Sequence, residues 1–324
     1  MNEGYVIADR YICKEKLGKG ANGSVYLVYD NKLDKYWAVK ECIMHNENEI
    51  EALKSVDNNA FVRIVDVIRQ DMCEFVIMDR VEGITLSEYC RSHAPNEKTI
   101  IRWMTEVAKA MNYLHNLKTP LLYMDCKPDN IMLTNSGDIR LVDLGSTYTY
   151  TVRNNNIRIS STRFFAPKEI KDNNEGIHLD IYSDVYSFGM TMYRLLTLSN
   201  IEYRDRRGRL CPEYINKHIS RACSDIVKRC TMTDPNKRYH SMNDVIRDLS
   251  EALNTKKRHR FNVPLMFDHI VKYALSIIII LCAMYANIKF NAFAIPGLFI
   301  LLVCLCKRPS YYTWETKKSI VRTY

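Results

Sequence analysis

No C-x-x-C pair occurs among the 11 cysteines, and none of their spacings matches a zinc site. Most of them sit inside apolar segments, so they read as reduced thiols of a cytosolic domain and not as disulfides. The opening residues, MNEGYVIADR, have no basic start and no apolar stretch. A cleavable secretory leader is therefore not expected. No internal repeat or low-complexity segment occurs. Charge of one sign is also missing from most of the chain. Residues 1–255 hold 35 Lys/Arg against 35 Asp/Glu, and the formal charge of +9 comes from residues 256–324, which hold 11 against 2. The basic balance thus gives the folded part no reason to bind nucleic acid. A length of 324 residues with 47% hydrophobic content allows one large domain or two small ones.

What is present centres on residues 123–145, YMDCKPDNIMLTNSGDIRLVDLG. Asp125, Lys127 and Asn130 fall in a loop. The apolar runs Ile131–Leu133 and Ile139–Val142 predict two short strands around the turn Asn135-Ser136-Gly137. Such a hairpin brings Asn130 beside Asp143. Their oxygens suit Mg²⁺, which takes one or two protein groups plus phosphate oxygens. Asp125 stands clear of the metal position, free to accept a proton.

This stretch resembles the catalytic and metal loops of eukaryotic-type protein kinases, H-R-D-x-K-x-x-N followed by D-F-G. Tyr123 replaces the His, Met124 the Arg, Cys126 the usual Leu and Leu144 the Phe. The Asp, Lys, Asn, Asp and Gly of the pattern are all kept. Upstream, Gly18-Lys19-Gly20-Ala21-Asn22-Gly23-Ser24-Val25 lies between two predicted strands, Tyr11–Leu17 and Tyr26–Tyr29. That placement matches the glycine-rich hairpin of kinases and not a strand-to-helix dinucleotide turn. Its glycines let backbone approach phosphate. The resemblance then implies that Val25 and Ala38 cover the adenine and that Lys40, ending the strand Tyr36–Lys40, holds the α- and β-phosphates. A helix over 46–56 carries the acid that pairs with Lys40. Among Glu47, Glu49 and Glu51, only Glu49 is followed at the required spacing by apolar residues, Ala52, Leu53 and Val56.

Strands are expected over Phe61–Ile68 and Glu74–Met78, with Met78 as gatekeeper, residues 79–83 as hinge, and the backbone of Asp79 and Val81 at the adenine edge. Met132 completes the ATP site. From Thr85 the period turns helical. Residues 97–117 predict one long buried helix ended by His115, whose role is structural. Residues 146–160 resemble an activation loop, and Ser161 to Glu169 its closing segment. Thr162 falls on the Thr that touches the catalytic Asp and Lys in serine/threonine kinases, and Glu169 should pair with Arg238. Asp184 falls on the Asp that bonds the catalytic-loop backbone, and Ser183 or Asp184 is expected to cap the helix that runs to about Leu198. A last amphipathic helix is expected over Met242–Leu253.

The expected fold is α+β: a two-lobed protein kinase domain over 9–253, with a small β-rich N-lobe (9–78), the hinge (79–83) and a larger α-helical C-lobe (84–253). A basic juxtamembrane linker (254–269) contains Lys256-Lys257-Arg258-His259-Arg260. Residues 270–288 and 290–306 are almost wholly apolar and span about 25–28 Å each at about 1.5 Å per residue, enough for a bilayer core. Lys272 can snorkel. Basic residues flank both outer ends, which predicts a transmembrane helical hairpin with both termini cytoplasmic and a basic tail over 307–324. No sensor domain on the far side is expected.

The function this implies is a membrane-anchored serine/threonine kinase with ATP and Mg²⁺ as cofactors, in a bacterial cell membrane. Asp125 is the base, Lys127 offsets charge, Lys40 with Glu49 orients ATP, and Asn130 and Asp143 hold metal. Expected partners are ATP, proteins carrying Ser or Thr, and the lipid bilayer, with self-association a further candidate. The alternative is a catalytically weak pseudokinase or membrane scaffold that binds ATP. Met124 cannot pair with phosphate as the family's Arg does. Loop phosphorylation, including at Thr147, is therefore not expected to be the main switch.

Overall fold

The computed structural model describes residues 1–20, 23–42, 54, 56–144, 147–149, 164–168, 180–206 and 208–254. All of the expected helix 46–56 except Lys54 and Val56 (and so Glu49), together with Ala21, Asn22, Thr162, Glu169, most of the loop 146–160 and everything after residue 254, lies outside these residues. Both apolar segments, 270–288 and 290–306, are among those outside. Among the described residues no helix is long and apolar enough to cross a membrane.

The N-terminal part is one antiparallel sheet of six strands. They are β1 (Val6–Ile7), β2 (Tyr11–Gly20), β3 (Gly23–Asp30), β4 (Lys35–Cys42), β5 (Ile64–Gln70) and β6 (Cys73–Met78), in the order β1-β2-β3-β4-β6-β5. Side chains alternate between faces along a strand. Val28, Trp37, Val39, Phe75 and Ile77 share one face and form a closed core with Ile7 and Tyr11. The opposite parity, Ala38 and Lys40 on β4 with Val76 and Met78 on β6, faces the rest of the molecule. The register joins Val25, Lys40 and Val76 into one row across three strands and pairs Ala38 with Met78 in the next. Strand period alone therefore delivers Lys40 to the same surface as the apolar lining of a cleft.

Asp30 fastens the β3–β4 turn. Its buried carboxylate takes a bidentate pair from Arg10 (2.9 and 2.8 Å), the Lys32 and Leu33 N–H groups and the Trp37 indole. Arg10 chiefly holds its pKa down to about 2.

The strand expected from Phe61 begins only at Ile64. Phe61 instead makes an isolated parallel bridge to Leu141. Beyond the hinge a short strand, β7 (Gly83–Thr85), precedes α1 (Leu86–Ser92). The sequence reading missed β7, whose three residues are too few to show a period. Thr85 caps α1 and receives the Glu88 carboxylate in return, a reciprocal capping box. Then come α2 (Glu97–His115) and β8 (Leu121–Leu122), followed by the hairpin β9 (Ile131–Thr134) and β10 (Ile139–Leu141). Gly137, at φ +89°, turns the hairpin, and β9 pairs with both β10 and β7. β11 (Tyr148–Thr149) pairs with β8, Tyr148 opposite Leu122.

Three further helices complete the larger part: α3 (Ile181–Thr197), α4 (Arg221–Cys230) and α5 (Met242–Asn254). α2 and α3 are apolar on most sides and lie in the main core with Val227, Val245 and Leu249. Neither Ser183 nor Asp184 caps α3. The cap position is Asp180, without a side-chain cap bond, and Asp184 lies inside the first turn. Its carboxylate is turned inward, to work described below.

Candidate active site

The loop between β8 and β9 is built on α3. Asp184 is fully buried, and its carboxylate accepts from the Tyr123 N–H (2.8 Å), the Met124 N–H (2.7 Å) and His115 Nε2 (2.8 Å). Seven residues on, and so on the same helix face, Thr191 Oγ1 donates to the Cys126 carbonyl at 2.8 Å. His115 is thus structural, as expected. Between these anchors Met124 adopts φ +63°, and the Asp125 N–H bonds back to the Tyr123 carbonyl at 2.9 Å. A three-residue turn of this kind is strained for a residue with a Cβ. Asp184 grips the two N–H groups that lead into it, those of Tyr123 and of Met124 itself.

The turn presents Asp125, 4% exposed. Its Oδ2 accepts from Lys127 Nζ at 2.5 Å and Asn130 Nδ2 at 2.9 Å. Asn130 Nδ2 also donates to the Asp125 carbonyl, 2.9 Å. Both donations fix the amide and leave Asn130 Oδ1 as its outward oxygen. The Val142 N–H bonds the Asn130 carbonyl at 3.1 Å, which sets Asp143 beside Asn130 as the hairpin reading required. Asp143 in turn accepts from Lys40 Nζ across the cleft at 2.6 Å. The Lys40 side chain is 9% exposed.

Asn130 and Asp143 together offer a hard cation two oxygen-bearing side chains. Among the described residues no group of three or more His, Cys, Asp or Glu could hold a metal alone. The donor set fits Mg²⁺ that takes its remaining ligands from phosphate and water.

Beside the Lys40–Asp143 pair lies an apolar patch of Ala38, Val62 and Met78, with Val25, Val76, Val81 and Val142 packed on it. Val25, Ala38, Met78 and Val81 were expected there. Val62, Val76 and Val142 were not, although Val76 shares the face of Met78 and Val142 directly precedes Asp143. Met132 sits half-buried on β9 opposite Thr85 and Arg140 and is not part of this patch. The Asp79 N–H is already donated to the Arg63 carbonyl at 3.0 Å. Of the Asp79 backbone, the carbonyl is therefore the group that can meet a ligand edge.

Gly18, Lys19 and Gly20 end β2, and Gly20 pairs with Gly23 of β3. Gly23, at φ +141°, has an explanation besides phosphate. A Cβ there would lie 2.0 Å from the Glu41 carbonyl oxygen, whereas a Cβ at Gly18 meets nothing within 4 Å. Gly23→Ala should therefore cost about 2 kcal/mol or more of stability by pushing β3 off β4, while Gly18→Ala leaves stability unchanged. Urea titrations of the two variants check this.

Arg238 is 1% exposed and donates to the Met232 and Tyr182 carbonyls at 2.8 Å each, with its guanidinium over the Tyr186 ring. Its expected partner Glu169, like Thr162, lies outside the described residues. Met124 packs with Leu122 and Ala166, with Ile181 against them. Thr147 is buried, which removes it from the accessible loop hydroxyls.

Tyr123 is fully buried, edge-on to Phe61, and its hydroxyl has no hydrogen-bond partner among the described residues. Burial pushes the phenol well above its ordinary pKa. Tyr123→Phe should raise stability by about 1 kcal/mol, or roughly 2–4 °C in Tm, because it removes a desolvated hydroxyl that gains nothing in return. A lower Tm in a thermal melt would show that the hydroxyl is satisfied.

Comparison with known proteins agrees with this geometry. The protein kinase domain family matches residues 11–250. A probable serine/threonine-protein kinase of Clostridium acetobutylicum is 28% identical over 78% of this chain and 41% of its own length. The serine/threonine-protein kinase PrkC of Bacillus subtilis is 24% identical over 84% of this chain and 45% of its own. The probable serine/threonine-protein kinase PknB of Lactococcus lactis is 24% identical over 82% and 46%. The chain thus spans less than half the length of these relatives. A family match over most of its length, on a fold that assembles Lys40, Asp125, Asn130 and Asp143 in one cleft, makes this chain a member of the eukaryotic-type serine/threonine protein kinase family.

Proposed function

We propose that the chain is a membrane-anchored kinase that transfers the γ-phosphoryl group of ATP to Ser and Thr hydroxyls of proteins, with residues 9–253 as its catalytic domain. The observation that carries this is the state of Asp125: a nearly buried carboxylate, aimed by Lys127 and Asn130 and mounted on a strained turn. The acceptor hydroxyl gives its proton to Asp125 as its oxygen bonds the γ-phosphorus. The bond from that phosphorus to the β–γ bridging oxygen breaks, and ADP leaves. Lys127, beside Asp125, offsets negative charge on the moving group. Lys40, held by Glu49 in the ATP-bound enzyme, orients the α- and β-phosphates. The patch of Ala38, Val62 and Met78 takes the adenine, and the glycine-rich strands cover the phosphates. Mg²⁺, held by Asn130 and Asp143, would neutralise phosphate charge. Lys127 and Thr162 favour Ser/Thr over Tyr.

Residues 270–288 and 290–306 form the membrane anchor in this reading, with both flanks on the cytoplasmic side. The support is their length, their apolarity and the excess of Lys and Arg outside them. One experiment addresses both halves. Membranes carrying the full chain are washed with carbonate, then given Mg²⁺ and labelled ATP, and the phosphorylated residues are mapped. Label on Ser and Thr, lost in Lys40→Met and still sedimenting with the membrane, is the expected result. ATP binding without transfer would favour the scaffold alternative. Activity in the supernatant would remove the anchor.

The apolar seat of Met124 supports a loop held without phosphate. Replacing Thr149, Thr151, Ser160 and Ser161 by Ala should leave kcat within about threefold of the parent. Loss of activity in a folded variant would show that one of these hydroxyls carries the switch.

A further inference from the structure

A cavity of about 360 Å³ opens beside the catalytic loop, lined by Arg91 and Cys90 of α1, Pro128 and Asp129 of the loop, Phe165, and Arg194 of α3. Asp129 and Pro128 lie between Lys127 and Asn130, so this space adjoins the residues that face the acceptor hydroxyl. Phe165 belongs to the segment that closes the loop 146–160. A protein substrate that brings a hydroxyl to Asp125 must lay its flanking residues along this wall.

The charge here is unusual. Arg194 is half-buried and Arg91 exposed, and neither makes a hydrogen bond or ion pair through its side chain among the described residues. Several other less exposed arginines have acceptors: Arg10 has Asp30, Arg204 has Glu202 and the Tyr186 hydroxyl, and Arg238 has backbone carbonyls, whereas half-buried Arg140 on β10, like Arg194, has none among the described residues. A guanidinium presents five donors in a fixed fork and does not give up its charge, so partial burial without an acceptor leaves a lasting demand for an anion. Asp129 is the one acid of the cavity. It is exposed, and it lies within ion-pair distance of neither arginine. Two guanidinium groups against one carboxylate leave the wall one positive charge in excess.

We infer that Arg194, assisted by Arg91, selects protein substrates that carry a carboxylate side chain close to the phosphorylated Ser or Thr. The inference rests on the kinase reading and names the substrate class of that site. Carboxylate suits the fork because it can accept two parallel N–H bonds. A substrate Lys or Arg at the same position meets repulsion.

The test uses the full chain in detergent micelles and labelled peptides with one Thr in a neutral host. Glu, Gln or Lys is placed at each flanking position in turn. Dissociation constants come from fluorescence anisotropy, and KM from ADP release. At one flanking position Glu should bind about tenfold tighter than Gln, with Lys weakest. Arg194→Ala should level that series, Arg194→Lys keep part of it, and Arg91→Glu, on the exposed face of a short helix, weaken it without risk to the fold. The changes fall on Kd and KM of the Glu peptide. Equal binding of Glu and Gln at every position, or a Glu preference that survives Arg194→Ala and Arg91→Glu, overturns the inference. A Glu preference in binding without phosphoryl transfer to any peptide would uphold the anion wall and sink the kinase reading instead.

Discussion

Asp125→Asn should lower kcat for phosphoryl transfer by about two to four orders of magnitude, the usual contribution of a positioned base, while the protein still folds and still binds ATP. Lys127 Nζ and Asn130 Nδ2 both point at Asp125 Oδ2, so an amide oxygen at that place satisfies both donors. The amide nitrogen then falls at Oδ1, where it cannot take a proton. Lys40 and the apolar patch are untouched, so the KM for ATP should stay within a few-fold. Steady-state ADP release measures kcat, and a melting curve measures the fold. If the variant keeps transfer within about tenfold of the parent, Asp125 positions the hydroxyl without accepting its proton.

Asp184→Ala carries the largest expected cost in stability. Two backbone N–H groups and His115 lose their acceptor in a place with no exposure to water. Each buried donor so orphaned costs about 1–3 kcal/mol, so a loss of about 3–5 kcal/mol is expected, or roughly 10 °C or more in Tm. The effect on activity should exceed the effect on folding. Met124 keeps its positive φ because the Tyr123 and Met124 N–H groups leading into the turn are held, and release lets Asp125 turn away. At a temperature where the variant is still folded, transfer should already be lost. Asp184→Asn should be intermediate, because its single oxygen can replace only one of the two acceptors that the Tyr123 and Met124 N–H groups use. Asp180→Ala is the control: it sits at the head of the same helix, makes no side-chain cap bond, and should change little. A Tm for Asp184→Ala within a degree or two of the control would refute the anchoring role.

The chemical groups of the cleft were legible in the sequence because the kinase pattern fixes them by spacing along short stretches. Asp125, Lys127, Asn130 and Asp143 lie within one loop and one hairpin, and local chain geometry brings them together. Lys40 was read from the likeness of the run Tyr36–Lys40 to the family's V-A-I-K strand. What escaped was set by contacts between distant segments. Val76 joins the apolar patch through the register in which β4 and β6 pair, and Val62 through a segment whose backbone bonds Leu141 of β10. The Asp79 N–H is spent on Arg63 because the hinge folds back against the neck of β5. The head of α3 was read as capped by Ser183 or Asp184 because both are good caps in isolation. Tertiary demand turned Asp184 toward the catalytic loop and left Asp180 at the end of the helix. Arg194 raises no signal in sequence, since an Arg on a helix looks solvated until its cavity is seen.

Met124, seated on Leu122, Ala166 and Ile181, has a thermal consequence. An ionic clamp on a loop is screened by salt and can be erased by a phosphatase, and it changes rather little with temperature. Apolar contact is indifferent to ionic strength and to phosphatases, yet it weakens on cooling. The segment around Ala166 should therefore stay docked in concentrated salt and loosen in the cold. The docking of this segment thus responds to temperature and not to ionic strength.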